Sequence, residues 1–177
     1  MTCFTVFQLL EWAAARLSAA DIDRSVNEAR LLLAHTLGVD YSGLIREPDR
    51  AMSTRDIEKF EVLIERRVKR EPISYLTGKR EFWSLPFSVN RSVLDPRPDS
   101  ELLVETALRL FPDADASFSV LDFGTGSGCL LLSILSNRPN ARGVGVDISL
   151  DALEVAKNNA DALELSNRSN FLCSDWA

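Results

Sequence analysis

Three glycines fall within Asp122-Phe123-Gly124-Thr125-Gly126-Ser127-Gly128, directly after the apolar run Phe118-Ser119-Val120-Leu121. No other stretch constrains the fold of this chain as much. It reads as a buried strand, Phe118 to Phe123, that stops in a tight turn and opens a helix over Cys129 to Ser136. No side chain larger than a hydroxymethyl or threonyl group guards the turn, so the backbone can approach a ligand and positive φ is open at three positions. The following helix aims its N-terminal N–H groups, with their partial positive charge, at the same place.

Dinucleotide sites prefer G-x-G-x-x-G, with a pyrophosphate on the helix start. Here the pattern is D-x-G-x-G-x-G, and an acid at the strand tip repels a pyrophosphate but welcomes an ammonium or a sulfonium. The next strand, Arg142 to Val146, ends in Asp147, twenty-three positions past Gly124. In a βαβ unit that spacing sets a carboxylate beside the crevice, placed to accept from both ribose hydroxyls of a nucleoside. A cationic, ribose-bearing cofactor suits both acids, and S-adenosyl-L-methionine is the obvious candidate. The bland alternative is a tight strand–helix turn with two solvated acids at the strand ends.

A chain of 177 residues holds one ordinary domain or two small ones, and 46% apolar with 26% charged residues is a soluble globular composition. Twenty basic against twenty-six acidic residues leave a net charge of −6, which speaks against a nucleic-acid grip over the whole surface. Cys3, Cys129 and Cys173 are far apart and show no C-x-x-C spacing, so they read as free thiols in a reducing compartment, with neither disulfide nor metal. His35 is the only histidine, which excludes a His dyad or a His-rich metal site within the chain. No apolar run is long enough to span a membrane and no signal peptide is visible, making the cytoplasm the default.

Residues 1–72 read as a small helical bundle for partner or substrate docking. Phe7, Leu10, Ala14 and Leu17 mark one helix face; Val26, Ala29, Leu33 and Leu37 mark a second, ending at Gly38. Ser53 and Asp56 resemble a capping box introducing Ile57, Phe60, Ile64 and Val68. Arg66, Arg67, Lys69, Arg70, Lys79 and Arg80 form a basic stretch, either a solvated helix end or a docking surface. Residues 73–98 read as a hairpin and proline-rich connector whose aromatic cluster, Phe82, Trp83 and Phe87, has the look of an interdomain plug. The double-proline turn Asp95-Pro96-Arg97-Pro98 then fixes the approach of Arg97 and Glu101 to a helix over Ser100 to Phe111. Residues 99–177 hold strand–helix alternation: after Arg142–Val146 comes a helix near Leu150–Leu163, with Leu153, Ala156, Ala160 and Leu163 on one face, and a strand at Asn170–Cys173. The fold class is therefore α/β, with βαβαβ as the first half of a Rossmann-like sheet.

Taken together, these segments resemble the protein-glutamine methyltransferases that modify peptide chain release factors, the HemK/PrmC family. Glu71-Pro72-Ile73-Ser74-Tyr75-Leu76-Thr77-Gly78 and Arg80-Glu81-Phe82-Trp83 are similar to its interdomain signature. Arg97-Pro98-Asp99-Ser100-Glu101 is similar to its R-P-D-T-E motif, Asp122–Gly128 to its glycine loop, and Ser174-Asp175-Trp176 to the segment framing the adenine. The resemblance implies S-adenosyl-L-methionine with its amino-acid part against Gly124, Thr125, Gly126, Ser127 and Gly128 and its ribose on Asp147. It further implies that Asp175 accepts from the adenine amino group and Trp176 supplies a stacking wall. The implied reaction is protein methylation in translation termination: in-line transfer to the amide nitrogen of the glutamine in a release factor's Gly-Gly-Gln motif.

The chain departs from that family in one respect. The Asn-Pro-Pro-Tyr motif that grips the target amide is nowhere in the sequence, so no catalytic residue is carried over and the chain alone is expected to be inactive. The expectation is of a piece of a longer enzyme, with strand Phe118–Phe123 apolar and bare on one edge. Two rival readings remain at this point. One is a nucleic-acid adenine N-methyltransferase, disfavoured by the acidic balance; the other is a non-catalytic partner-binding module built on the helical domain.

Overall fold

The computed structural model describes residues 4–175, which divide into two compact units, Met1–Thr77 and Gly78–Ala177. The first is all helical: α1 (Val6–Ser18), α2 (Ser25–Leu37), α3 (Tyr41–Arg46), α4 (Thr54–Val68) and α5 (Ile73–Thr77). Thr5 caps α1 in a reciprocal box with Gln8, and Ser53 caps α4 by accepting the Asp56 N–H at 3.2 Å. Gly38 ends α2 in the left-handed region at φ +66°.

From α1 the core of this unit takes Val6, Leu9, Ala13 and Leu17, with Leu10 and Ala14 of the expected stripe packed at its margin and Phe7 turned away from it. Both stripes have helical spacing and share Leu17. Ala13 and Leu9 let α2 approach closely, whereas Phe7 is left 53% exposed. On α2 the expected Ala29 and Leu33 are buried together with Leu32, Leu37 packs at the margin, and Val26 is left exposed. The α4 stripe is as expected, with Phe60 and Ile64 buried and Ile57 and Val68 packed at its margin.

The basic stretch is largely consumed within the protein. Arg66 grips Glu71 in a two-pronged pair at 2.6 and 2.8 Å, and Arg67 grips Glu28 at 2.6 and 3.1 Å. Arg70 donates to the carbonyl oxygens of Ala20 and Asp21. In the second unit, Arg80 lies 3.8 Å from the buried Asp95. These guanidinium groups close helix ends and loops, so the arginines of this stretch do not form a free docking surface.

The second unit begins with the hairpin β1 (Lys79–Phe82) and β2 (Leu85–Ser88). Arg80, Phe82, Leu85 and Phe87 share one face of it, and Phe82 and Phe87 are core residues of this unit, in edge-to-face contact at 6.3 Å. The two-residue turn, Trp83-Ser84, has φ of 53° and 59°, the sign pattern of a type I′ turn in which Asn-Gly is the usual occupant. That strain is held by the Glu101 carboxylate, which accepts the Trp83 N–H at 2.9 Å. A 3₁₀ turn, Pro98–Ser100, leads into α6 (Glu101–Leu110).

Next come β3 (Ser119–Phe123), α7 (Cys129–Asn137), β4 (Arg142–Asp147), α8 (Leu150–Ala162) and β5 (Ser169–Cys173). The strands are parallel in the order β3-β4-β5, giving the βαβαβ half sheet read from the sequence. α7 and α8 pack against the strands and share one core, which Leu131, Leu132 and Ala160 build and Phe171 packs against. Arg138 donates to Leu108 and Phe111 carbonyl oxygens and Arg168 to those of Leu135 and Ala141, closing the ends of α6 and α7.

The opposite face is open around a buried Val146. Register places Leu121 beside Val144 and Phe123 beside Val146 and Leu172, and Leu121, Phe123 and Leu172 are 56%, 45% and 55% exposed. β3 also has no partner on its outer edge among the described residues. An apolar strand edge beside an apolar face is an adhesive surface. Sedimentation velocity should therefore show mass-dependent association of the chain, which Leu121→Lys with Leu172→Lys suppresses while the unfolding free energy moves by no more than about 0.5 kcal/mol. A strictly monomeric chain at all concentrations would contradict this.

Candidate functional site at the glycine loop

The carboxyl ends of β3, β4 and β5 converge at the glycine loop, Asp147 and the Ser174-Asp175 segment. Gly124, Gly126 and Gly128 have φ of +70°, +54° and +77°. A Cβ at Gly124 would meet nothing within 4 Å, so open space lies over the loop there. Gly128 is different: a Cβ would come within 3.1 Å of Leu132 and 3.4 Å of Ala156, so its absence lets α7 and α8 close up beneath the loop.

The loop's own side chains turn inward. Thr125 and Ser127 are 5% and 2% exposed. Thr125 Oγ1 donates to Asp122 Oδ2 at 2.7 Å and occupies the hollow above Gly145, where a Cβ would lie 2.8 Å from that oxygen. Two backbone donors, Gly124 N–H and Thr125 N–H, share the Val146 carbonyl at 2.8 and 3.0 Å. What the loop offers a ligand is thus backbone and vacant Cβ space, with the hydroxyls serving its shape.

The two acids are not equivalent. Asp147 stands at the rim: Oδ2 accepts the Gly126 N–H at 2.9 Å and Oδ1 the Ser149 N–H at 3.0 Å. A carboxylate oxygen has two lone-pair directions, so each keeps one for an incoming hydroxyl. Asp122 lies under the loop, taken up by the Thr125 hydroxyl and the Leu131 N–H at the start of α7. Burial pushes its carboxyl above the ordinary range, and the nearby negative charge of Asp147 adds to that. The sequence treats both acids as ligand groups; the structure gives Asp122 a shaping role and leaves its charge unneutralised from below.

Asp175 is exposed and follows Ser174, whose N–H reaches the Asp147 carbonyl at 3.2 Å, so it stands at the same rim. Trp176 lies outside the described residues. Cys129, behind Ser127, has its thiol pushed up by burial, which disfavours the thiolate. No cluster of metal-ligating side chains exists among the described residues, and no helix there is long and apolar enough to cross a membrane. A cavity of about 370 Å³ at the outer edge of the sheet, between Lys157, Asp161 and Phe171, shares no residue with the loop. Sequence reasoning missed Gly145 and Asn159 as builders of this site, and singled out Glu101 without finding its partner Trp83. Gly145 carried a signal, as a glycine inside a strand where a close approach is needed.

Comparison with known proteins bears on both units. A PrmC N-terminal domain matches residues 8–78 and a methyltransferase domain matches residues 114–177. The release factor glutamine methyltransferase of Caulobacter vibrioides is 42% identical over 167 residues, covering 93% of this chain and 57% of that protein. Its counterpart in Bradyrhizobium diazoefficiens is 43% identical over 165 residues, covering 92% and 56%. A bifunctional methyltransferase of Rickettsia felis is 37% identical over 199 residues, covering 98% and 38%. Among solved structures, a SAM-dependent methyltransferase from Geobacter sulfurreducens in complex with S-adenosyl-L-homocysteine is 30% identical over 45% of this chain and 30% of that one, at a TM-score of 0.37. The chain spans about half the length of the curated relatives it matches. The chain thus carries a PrmC N-terminal domain followed by a methyltransferase domain on a parallel sheet, and over nearly its whole length it is similar to release factor glutamine methyltransferases.

Proposed function

We propose that the crevice over the glycine loop binds S-adenosyl-L-methionine and that the chain is the cofactor-holding part of an enzyme methylating the glutamine amide of a release factor's Gly-Gly-Gln motif. The observation that carries this reading is the fixed carboxylate of Asp147, held by two N–H donors with a free lone pair on each oxygen. Two vicinal ribose hydroxyls match that pair of acceptors. The amino-acid part of the cofactor would lie along Gly124–Gly128, where backbone and vacant Cβ space face the ligand. Asp175 would accept from the adenine amino group, and Trp176 would stack on the ring.

When bound, the cofactor supplies an electrophilic methyl group on a sulfonium. The protein's part here is to bind and orient it and to bring negative charge near it. An amide nitrogen is a poor nucleophile because its lone pair is delocalised, so transfer depends on positioning and on acceptors aimed at the amide N–H groups. Such acceptors belong to an Asn-Pro-Pro-Tyr motif that the sequence does not contain, so this chain holds cofactor without transferring its methyl group. The internal pairing of Arg66, Arg67 and Arg70 removes the basic surface that a nucleic-acid substrate or a charge-driven docking module would use.

Calorimetry with S-adenosyl-L-homocysteine should give a weak dissociation constant, on the order of 0.1–1 mM or about 4–5.5 kcal/mol. Asp147→Ala should weaken it by about 10- to 100-fold. A ligand lacking both ribose hydroxyls should lose a similar amount against the unmodified chain and little more against Asp147→Ala; equal losses in both backgrounds would place the ribose elsewhere. Tritiated methyl transfer by the chain alone should be absent with a release factor and with DNA, and incorporation into DNA would overturn the reading.

Asp122 gives a second prediction, with the sign set by its raised pKa. The folded state holds the Asp122 proton more tightly than the unfolded state, so its contribution favours folding below its ordinary value of 3.8 and is lost as pH rises through the raised folded value. Above that raised value the ionised carboxylate is a cost. Asp122→Asn, which keeps an acceptor for Thr125, should raise the urea midpoint at pH 7 and flatten the decline of stability above pH 3.8. A lowered midpoint would mean that its helix-capping role outweighs the burial of its charge.

A further inference from the structure

Asn159 is the one polar side chain among the buried residues of α8, and it is 1% exposed. Its Oδ1 accepts the Ser88 N–H at 2.7 Å, and Nδ2 donates to the Ser88 carbonyl oxygen at 3.0 Å and the Ser127 carbonyl oxygen at 2.9 Å. Those partners lie 71 and 32 residues away, so one amide ties together β2, α8 and the glycine loop, three separately encoded elements. Toward Ser88 it acts as a neighbouring strand would, donating and accepting along the edge of β2 that β1 does not use.

We propose that Asn159 is a positioning residue that couples docking of the hairpin to the shape of the glycine loop. The carbonyl it holds belongs to Ser127, between two residues in the left-handed region, Gly126 and Gly128. A loop of this composition has more backbone freedom to lose than any other, so each fixed peptide plane matters to its shape. Asp147 fixes the loop from the rim through Gly126 N–H, and Asn159 fixes it from behind through Ser127. The hairpin is itself conditional: two strands alone are marginal, and its turn is strained at Trp83 and Ser84 and tied to Glu101. Seated, it orients the Asn159 amide through Ser88; unseated, it releases the amide and with it the loop.

The chemistry requires an amide. A carboxylate at this place has no donor and faces two carbonyl oxygens, while a leucine leaves the Ser88 N–H and two carbonyl groups without partners. The coupling stands independently of the cofactor; only its effect on affinity rests on the binding reading above.

Nitrogen-15-resolved amide hydrogen exchange on the whole chain tests it, comparing Asn159→Leu with Val104→Ala, a core truncation on α6 at a fully buried site. In Asn159→Leu the Gly126 and Gly128 amides, bonded to Asp147 and to Thr125, should exchange at least about tenfold faster relative to Val146 on β4. In Val104→Ala the three should accelerate together. Glu101→Ala, which frees the hairpin turn without altering Asn159, should speed Gly126 and Gly128 in the same direction by a smaller factor, and it decides the matter if Asn159→Leu does not fold. Wild-type exchange at Gly126 and Gly128 in these variants, with change only at Ser88, would reduce Asn159 to a hairpin tether and overturn the proposal. As a ligand readout, S-adenosyl-L-homocysteine affinity should fall about tenfold or more in folded Asn159→Leu and hold in Val104→Ala. An unmodified chain that takes no S-adenosyl-L-homocysteine would refute the cofactor reading and leave the exchange comparison to decide the coupling.

Discussion

The Asp147 carboxylate accepts from Gly126 on one oxygen and from Ser149 on the other, and the geometry around the strand tips depends on that bridge. It joins the glycine loop after β3 to the start of α8 after β4, so two crossovers share one anchor. Charge-assisted hydrogen bonds to backbone N–H groups are among the stronger ones, and this pair is oriented from opposite sides. The loop needs such an anchor because its glycines supply no contacts of their own. Beneath it, burial pushes the Asp122 carboxyl above its ordinary range, so a second negative charge there carries an electrostatic cost that a cation above it would relieve.

The second unit balances a well-packed half against an open one. On the covered side, Leu131, Leu132, Leu135 and Val104 are essentially inaccessible, and Phe82 and Phe87 bring the hairpin into the same core. On the other, Leu121, Phe123 and Leu172 face outward from strands whose register is otherwise regular. In the helical unit Arg66, Arg67 and Arg70 are held on Glu71, Glu28 and backbone carbonyls. Its exposed Phe7, Tyr41 and Ile45 lie around a groove of about 270 Å³ in which Arg30 stacks on Tyr41 at 5.5 Å.

Much of this was legible in the chain because it depends on local rules. Glycine spacing after an apolar run, Ser53 before Asp56, Gly38 after Leu37 and the apolar period of α8 each mark an element whose bounds lie within a residue or two of the structure. The phase of α1 was only partly legible: two adjacent stripes satisfy the same period, and the structure buries Leu9 and Ala13, keeps Leu10 and Ala14 at the margin and exposes Phe7. Nor were the long-range polar ties. The Asn159 amide finds Ser88 and Ser127, Glu101 finds Trp83, and the arginines find their carboxylates, through partners that no local pattern names. Trp83-Ser84 lacks the glycine that usually announces a type I′ turn, because Glu101 supplies from α6 what the turn residues do not.

The central claim is one of place: a nucleoside ligand sits over the glycine loop with its ribose on Asp147. Nitrogen-15 NMR during addition of S-adenosyl-L-homocysteine tests it most directly. The account predicts chemical-shift changes that begin and are largest at Gly124, Gly126, Gly128, Asp147 and Asp175, with the outer edge of the sheet around Lys157 and Asn170 unmoved. Changes centred on that outer edge or on the helical unit, with the loop amides stationary at saturating ligand, would contradict it.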